Sequence, residues 1–178
     1  PVSVSQEQRS KIEASSDQRL IAIGASTGGP QALLRILRTL PREMPPILVV
    51  QHITPSFTQS FSNSLDASCQ MKVEVAVDGI KPIDGHIYVA PGDCHMLLAR
   101  ENSDYRIRLS DHDRVNRHRP SVDELFRSVA DHAGQNATGV LLTGMGIDGA
   151  AGMAQIRRSG GWTIAQDEAS SVVFGMPR

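Results

Sequence analysis

Short apolar runs that alternate with helical patterns constrain the fold of this chain most strongly. From Arg19 onward, Leu20–Ala25 and Ile47–Gln51 are almost uninterrupted apolar strands, and a helical pattern separates them over about residues 31–40. Strands that are apolar on both faces are typical of a mostly parallel sheet covered by helices on both sides. The sequence therefore predicts an α/β, doubly wound architecture.

The later segments extend this alternation. Helices are predicted over about residues 57–65, 122–133 and 150–158, and strands over 73–77, 140–142 and 162–165. Ser121 is expected to cap the helix that begins at Val122. Three short strands separated by turn residues predict an antiparallel meander at one edge of the sheet, over about residues 86–90, 96–99 and 106–109.

Composition excludes several classes of protein. With 178 residues, 40% of them hydrophobic, the chain suits one domain with a substantial core. A net charge of −1 does not favour a nucleic-acid partner, and no apolar run is long enough for membrane insertion. Cys69 and Cys94 lie far apart in sequence, which favours two incidental thiols in a reducing cytoplasm. Residues 1–18 are polar and rich in Ser and Gln, and are predicted to be an interdomain linker.

The turn between the first strand and the first helix carries the most specific motif, Gly24-Ala25-Ser26-Thr27-Gly28-Gly29-Pro30. A serine in a strand–turn–helix can be a nucleophile whose oxyanion is received by backbone N–H groups at the helix start. The same turn could bind a phosphate, or Ser26 could simply cap the helix. Ser26 stands where a dinucleotide fingerprint needs glycine, and Pro30 stands where a P-loop needs lysine.

Two further polar residues follow predicted parallel strands. His52 ends one strand, and Asp148 lies in the loop after another. Since ligands bind at the carboxyl ends of such strands, the sheet can bring Ser26, His52 and Asp148 to one edge. Asp148 could alternatively cap the helix that follows it. His112 lies between two aspartates, but adjacent loop residues rarely build a metal site, so no metal is predicted.

Six blocks in collinear order resemble the catalytic domain of the CheB family, the chemotaxis protein-glutamate methylesterases. The resemblance covers about residues 19–178. Its blocks are Gly24–Pro30, Gln51-His52, Tyr88-Val89-Ala90-Pro91-Gly92-Asp93, Arg119-Pro120-Ser121-Val122-Asp123, Leu142–Gly149 and Asp167–Pro177.

The resemblance implies a catalytic triad of Ser26, His52 and Asp148, with the backbone N–H groups of Thr27 and Met145 as the oxyanion site. It implies hydrolysis of glutamate methyl esters on the cytoplasmic domains of chemoreceptors, and deamidation of receptor glutamines. It implies no metal or organic cofactor. The family's N-terminal receiver domain, which precedes the linker, is the other implied partner. The family's catalytic domain continues beyond the position of Arg178, so a truncated end is expected.

Two other functions stay open from the residues alone. One is a regulatory module that binds phosphate or a nucleotide at the Gly24–Gly29 turn. The other is a scaffold that docks on receptors without catalysis.

Overall fold

The computed structural model describes residues 18–178, in which a six-stranded parallel sheet forms the centre of the fold. The strands are β1 (Leu20–Ala25), β2 (Ile47–Gln51), β3 (Lys72–Val75), β4 (His86–Val89), β5 (His95–Glu101), β6 (Asp104–Ser110), β7 (Ala137–Leu141) and β8 (Trp162–Ala165). The spatial strand order of the large sheet is β3-β4-β2-β1-β7-β8, and a separate two-stranded antiparallel sheet contains β5 and β6. The predicted fold class is therefore confirmed.

Within residues 18–178, four α-helices and one short 3-10 turn (Gly134–Asn136) accompany the strands. None of these helices is long and apolar enough to cross a membrane. The helices are α1 (Gly29–Leu37), α2 (Pro55–Asp66), α3 (Val122–Ala133) and α4 (Ala150–Arg158). Helix α1 begins before the predicted residue 31 because Pro30 suits the first helical turn, where its missing N–H costs nothing. It ends at Leu37 because the last turn tightens into i→i+3 hydrogen bonds.

The sheet is buried on both faces. One apolar core, which includes Phe126 of α3 and Ile156 of α4, also contains Met96 of β5. The other core contains Leu33 and Leu37 of α1 together with Leu65 of α2. Two helices thus cover one face, while two helices and the β5–β6 hairpin cover the other.

The predicted meander is only partly correct. The segment at residues 86–90 forms β4, which lies inside the parallel sheet between β3 and β2. Ile87, Tyr88 and Val89 are all buried, and an interior strand is the position that buries consecutive residues on both faces. Among the strands of residues 18–178, β5 and β6 are the one antiparallel pair, and they form a layer against α3 rather than an edge of the main sheet.

Strand β1 marks the point where the chain changes direction across the sheet. From β1 the chain continues to β2 on one side and later returns to β7 on the other. In parallel sheets, ligands bind outside the carboxyl ends of the strands at such a reversal. The fold therefore places the ends of β1, β2 and β7 at the position expected for a functional site.

The predicted linker falls almost entirely outside the described residues, which begin at Gln18. The linker, and the continuation of the domain beyond Arg178, stay predictions.

We expect the core around α3 to dominate stability. Phe126 is fully buried, so Phe126→Ala should lower the free energy of unfolding by about 3–5 kcal/mol. Phe57→Ala is the matched control, because Phe57 is 63% exposed and should change stability by less than about 0.5 kcal/mol. Urea unfolding at neutral pH measures both. Equal losses in the two variants would contradict this assignment of the core.

Candidate active site

Ser26 occupies a tight turn between β1 and α1. Its backbone N–H donates to the carbonyl of Thr143 at 3.0 Å, and its carbonyl accepts from the Gly29 N–H at 2.8 Å. Gly28 has a left-handed conformation with φ of 82°, which glycine adopts without the steric penalty of a side chain. The turn therefore holds Ser26, partly exposed, at the start of a helix.

His52 leaves the sheet beside Ser26. Ala25 and Gln51 are paired in register on β1 and β2, so the next residue of each strand leaves the same edge. Neighbouring strands lie about 4.8 Å apart. The Gln51 side chain joins the two positions, because its Nε2 donates to the carbonyls of Ser26 at 3.0 Å and of His52 at 3.1 Å.

Asp148 is buried and accepts five hydrogen bonds. Nε2 of His52 lies 2.8 Å from its Oδ2, and its carboxylate is only 1% exposed. The other donors are the Asn116 side chain at 2.8 Å, the Ser121 hydroxyl at 2.7 Å, and the backbone N–H groups of Val122 at 2.7 Å and Asp123 at 3.2 Å.

Asp148 does not cap the helix that follows it. Gly149 is the N-terminal cap of α4, and no side chain caps that helix. The carboxylate instead binds the first N–H groups of α3, where the helix dipole favours a negative charge. Ser121 caps α3 as predicted, because its hydroxyl accepts from the Glu124 N–H.

The hydrogen bonds to Asp148 decide the protonation pattern of the site. Burial by itself raises the pKa of Asp148, but the hydrogen bonds outweigh burial and hold the pKa well below its usual range. The donors of these bonds are His52, Asn116, the Val122 N–H and Ser121. An ionised carboxylate only accepts hydrogen bonds, so Nε2 of His52 carries the proton. Nδ1 of His52 is buried without a hydrogen-bond partner in residues 18–178, which leaves its lone pair available.

The two predicted oxyanion residues lie on segments that run next to each other. The Thr143 hydroxyl donates to the carbonyl of Thr27 at 2.9 Å. A side chain on Gly144 would place its Cβ 2.8 Å from Cβ of Ser26, so only glycine allows this approach. Within the described part of the chain, the backbone N–H groups of Thr27 and Met145 have no hydrogen-bond acceptor.

The C-terminal segment holds the Thr143–Met145 loop in place. Gly144 donates to the carbonyl of Val173 at 3.0 Å, and its own carbonyl accepts from the Met176 N–H at 2.8 Å. The Val173 N–H donates to the Thr143 hydroxyl at 2.9 Å. These C-terminal residues belong to the Asp167–Pro177 block of the resemblance, and their hydrogen bonds support the Thr143–Met145 loop.

Several residues that contact the site carry no signal that predicts this role from the sequence. Gln51 enters the sequence prediction only as the neighbour of His52, and no role is predicted for Asn116 or His118, which lie in the loop between β6 and α3. The His118 ring stacks on the His52 ring, with centroids 3.7 Å apart. Asn116 offered a turn signal, since asparagine tolerates left-handed backbone, but no sequence pattern indicates the stacking partner.

His95 supports the site from the core. Its ring is fully buried, Nδ1 accepts from the Ser121 N–H at 3.2 Å, and Nε2 donates to the carbonyl of Asp113 at 3.1 Å. Burial lowers the pKa of His95 below its usual value, and the hydrogen bond to Asp113 offsets this only in part. The neutral ring thus holds the residue that caps α3 and donates to Asp148.

This pKa shift predicts a loss of stability in mild acid. Because the pKa of His95 is lower in the folded chain, the unfolded chain binds more protons as the pH falls. The stabilisation is present above about pH 6.5 and is lost below it, by at most about 1.4 kcal/mol per pH unit. Between pH 7 and pH 5, the wild type should therefore lose more unfolding free energy than His95→Gln, as measured by urea titration. Parallel losses in the two proteins would contradict the prediction.

Comparison with known proteins identifies the family of this chain. A model of the CheB methylesterase family matches residues 21–178. Proteins of Salmonella typhimurium and Escherichia coli O157:H7, each named protein-glutamate methylesterase/protein-glutamine glutaminase, are 57% identical over 163 residues. This match covers 92% of the chain but 47% of each relative, so the chain spans about half of their length.

A solved structure shares the fold. The crystal structure of the Thermotoga maritima CheB methylesterase catalytic domain matches with a TM-score of 0.88 at 40% identity, covering 90% of this chain and 86% of that one. The chain therefore belongs to the CheB methylesterase family.

Proposed function

We propose that this chain is a serine hydrolase that removes methyl groups from glutamate methyl esters on the cytoplasmic domains of chemoreceptors. The observation that carries the proposal is the hydrogen-bonded His52–Asp148 pair at the sheet edge where Ser26 emerges. The substrate follows from relatives that are named protein-glutamate methylesterase/protein-glutamine glutaminase. Ser26 is proposed as the nucleophile, His52 as the general base and Asp148 as the residue that orients the base.

The chemistry proceeds in two steps. His52 removes the proton of the Ser26 hydroxyl while the oxygen attacks the ester carbonyl, and the N–H groups of Thr27 and Met145 are proposed to bind the resulting oxyanion. His52 then gives its proton to the leaving methoxide, and methanol departs. Water, activated by the same ring, hydrolyses the acyl-enzyme, which releases Ser26 and a glutamate carboxylate.

The orientation of His52 assigns the base nitrogen. Because Nε2 is held by Asp148, proton transfer from Ser26 takes place at Nδ1. This reverses the arrangement of the chymotrypsin-type triad, in which the carboxylate binds Nδ1 and the serine faces Nε2. The roles are equivalent, since the carboxylate fixes the tautomer and stabilises the imidazolium in both cases.

The surroundings of the site suit a protein substrate. The side chains of Met145 and Ile147 are 73% and 72% exposed, and they lie on the loop between Gly144 and Asp148. Such an open apolar rim supports contact with a macromolecular surface rather than enclosure of a small molecule. The receptor domain is therefore proposed as one partner, and a receiver domain joined through residues 1–18 as the other.

A phosphate- or nucleotide-binding module explains less of the structure. Such a module would use the Gly24–Gly29 turn, but it gives no role to a buried Asp148 that holds His52 beside that turn. The matching family and relatives are methylesterases, so the comparisons also support the hydrolase.

Replacement of the triad residues tests the proposal. Ser26→Ala or His52→Ala should lower kcat by roughly 10⁴–10⁶-fold, because the residues of a triad act as a unit. Asp148→Asn should cost about 10⁴-fold, because the favoured tautomer is lost while the nucleophile remains. Methanol release from methylated receptor membranes is the measurement. Gln59→Ala, at an exposed position on α2, is the control. A Ser26→Ala variant with substantial activity would disprove the assigned nucleophile.

Deamidation should depend on the same nucleophile. A glutamine amide forms the same acyl intermediate as the ester, with loss of ammonia in place of methanol. Ser26→Ala should therefore abolish ammonia release from receptors that carry glutamine at the modified positions, in parallel with methanol release. Ammonia release that persists in Ser26→Ala would show that a second group deamidates the substrate.

A further inference from the structure

A two-residue reverse turn lies directly against the candidate triad. Val115 and His118 exchange two backbone hydrogen bonds, at 3.1 and 2.8 Å, and form an isolated antiparallel bridge. The residues between them, Asn116 and Arg117, have left-handed φ values of 52° and 69°. Positive φ at both central positions is the pattern of a type I′ turn. Residues 115–118 are called the base turn below.

Asn116 projects its side chain from the base turn into the carboxylate network. Its Nδ2 donates to Oδ1 of Asp148 at 2.8 Å and to Oδ2 of Asp123 at 2.7 Å. Both carboxylates are buried, with Asp148 1% and Asp123 3% exposed. A single amide group thus separates two buried negative charges and supplies a donor to each.

His118 covers the face of the candidate base. The His52 and His118 rings are nearly parallel, at 10°, with centroids 3.7 Å apart. Nε2 of His52 has a partner in Asp148, whereas Nδ1 has no hydrogen bond within residues 18–178. One hydrogen bond fixes one edge of a ring but leaves rotation about that edge, and a stacked ring on its face restricts this rotation.

We propose that the base turn positions the proton-accepting side of the triad, with His118 holding the plane of the His52 ring and Asn116 holding the Asp148 carboxylate. The proposal rests on the proposed function for the role of His52. His118 and Asn116 are positioning residues, since they act through His52 and Asp148. With both partners held, the His52 ring keeps one orientation, with Nε2 bound to Asp148 and Nδ1 free of any hydrogen bond within residues 18–178.

The electrostatics of the stack agree with this role. Burial lowers the pKa of His118, and the adjacent His52 and Arg114 lower it further, against the opposing charge of Asp148. Arg119 also lines the small cavity that His52 and His118 border. A neutral His118 adds no positive charge beside His52 when that ring accepts the proton of Ser26.

Two substitutions at one position separate stacking from other effects. His118→Ala removes the ring, whereas His118→Phe retains a planar ring that stacks but does not titrate. His112→Ala is the matched control, because His112 belongs to the same loop and stacks on a buried histidine, His95, at 4.2 Å. The control therefore reports what loss of a stacked ring does to the loop without contact with His52.

The first measurement is the second-order rate of labelling of Ser26 by a fluorophosphonate. We expect His118→Ala to lower this rate roughly 10- to 100-fold, the effect of misplacing a reacting group by about 1 Å. His118→Phe should restore most of the rate, and His112→Ala should label at nearly the wild-type rate. A His118→Ala rate equal to that of the wild type, or a loss of equal size in His112→Ala, would overturn the proposal.

The second measurement does not depend on catalysis. In a Ser26→Ala background, nitrogen-15 NMR of the His52 ring should show one sharp environment with His118 present, and broadened or multiple signals in His118→Ala. Unchanged His52 signals in His118→Ala would overturn the proposal by themselves. This experiment needs no substrate. Its result therefore tests whether His118 holds the His52 ring, whether or not the chain hydrolyses methyl esters.

Discussion

The buried carboxylate of Asp148 is the interaction on which the rest of the site depends. It binds His52 from the end of β2, Asn116 from the base turn, and three donors at the start of α3. A buried charge without such partners costs several kcal/mol, so these segments must come together for the fold to bury it. The same five hydrogen bonds keep the carboxylate ionised and fix the tautomer of His52. Structural stability and the proposed catalysis therefore share one group.

The order of the strands explains why these segments meet. Strand β1 lies between β2 and β7, so the loops that carry Ser26, His52 and Asp148 leave the sheet from three adjacent strands. Helix α3 packs over the same edge together with the β5–β6 hairpin, and this packing directs its N-terminus at Asp148. The hairpin also brings the loop of residues 111–119 over the site.

Close backbone approach is the second constraint at this edge. The turn at Ser26 needs the left-handed conformation of Gly28, and Gly144 must lack a side chain because Ser26 and Met176 occupy the space. Val173 and Met176 then pair with Thr143 and Gly144. The loop that carries Met145 is thus held between the Ser26 turn and the C-terminal segment, which is the rigidity that a preorganised oxyanion site requires.

Much of this architecture could be predicted from local sequence. The apolar runs of β1 and β2, the extent of α3 and α4, and the cap at Ser121 depend on neighbouring residues, so periodicity and capping rules predict them. The convergence of Ser26, His52 and Asp148 follows from the general rule that parallel strands end at one edge. The resemblance to CheB methylesterases was readable from six blocks of sequence.

The sequence did not determine the features that are set by contacts between distant segments. Strand β4 lies inside the parallel sheet, where its residues are buried on both faces. The short turns around it instead favoured an antiparallel meander. Three features of the site depend on how the β5–β6 hairpin and α3 pack across the sheet. They are the helix that Asp148 caps, the nitrogen of His52 that Asp148 holds, and the stacking of His118 on His52. Only the tertiary structure decides that packing.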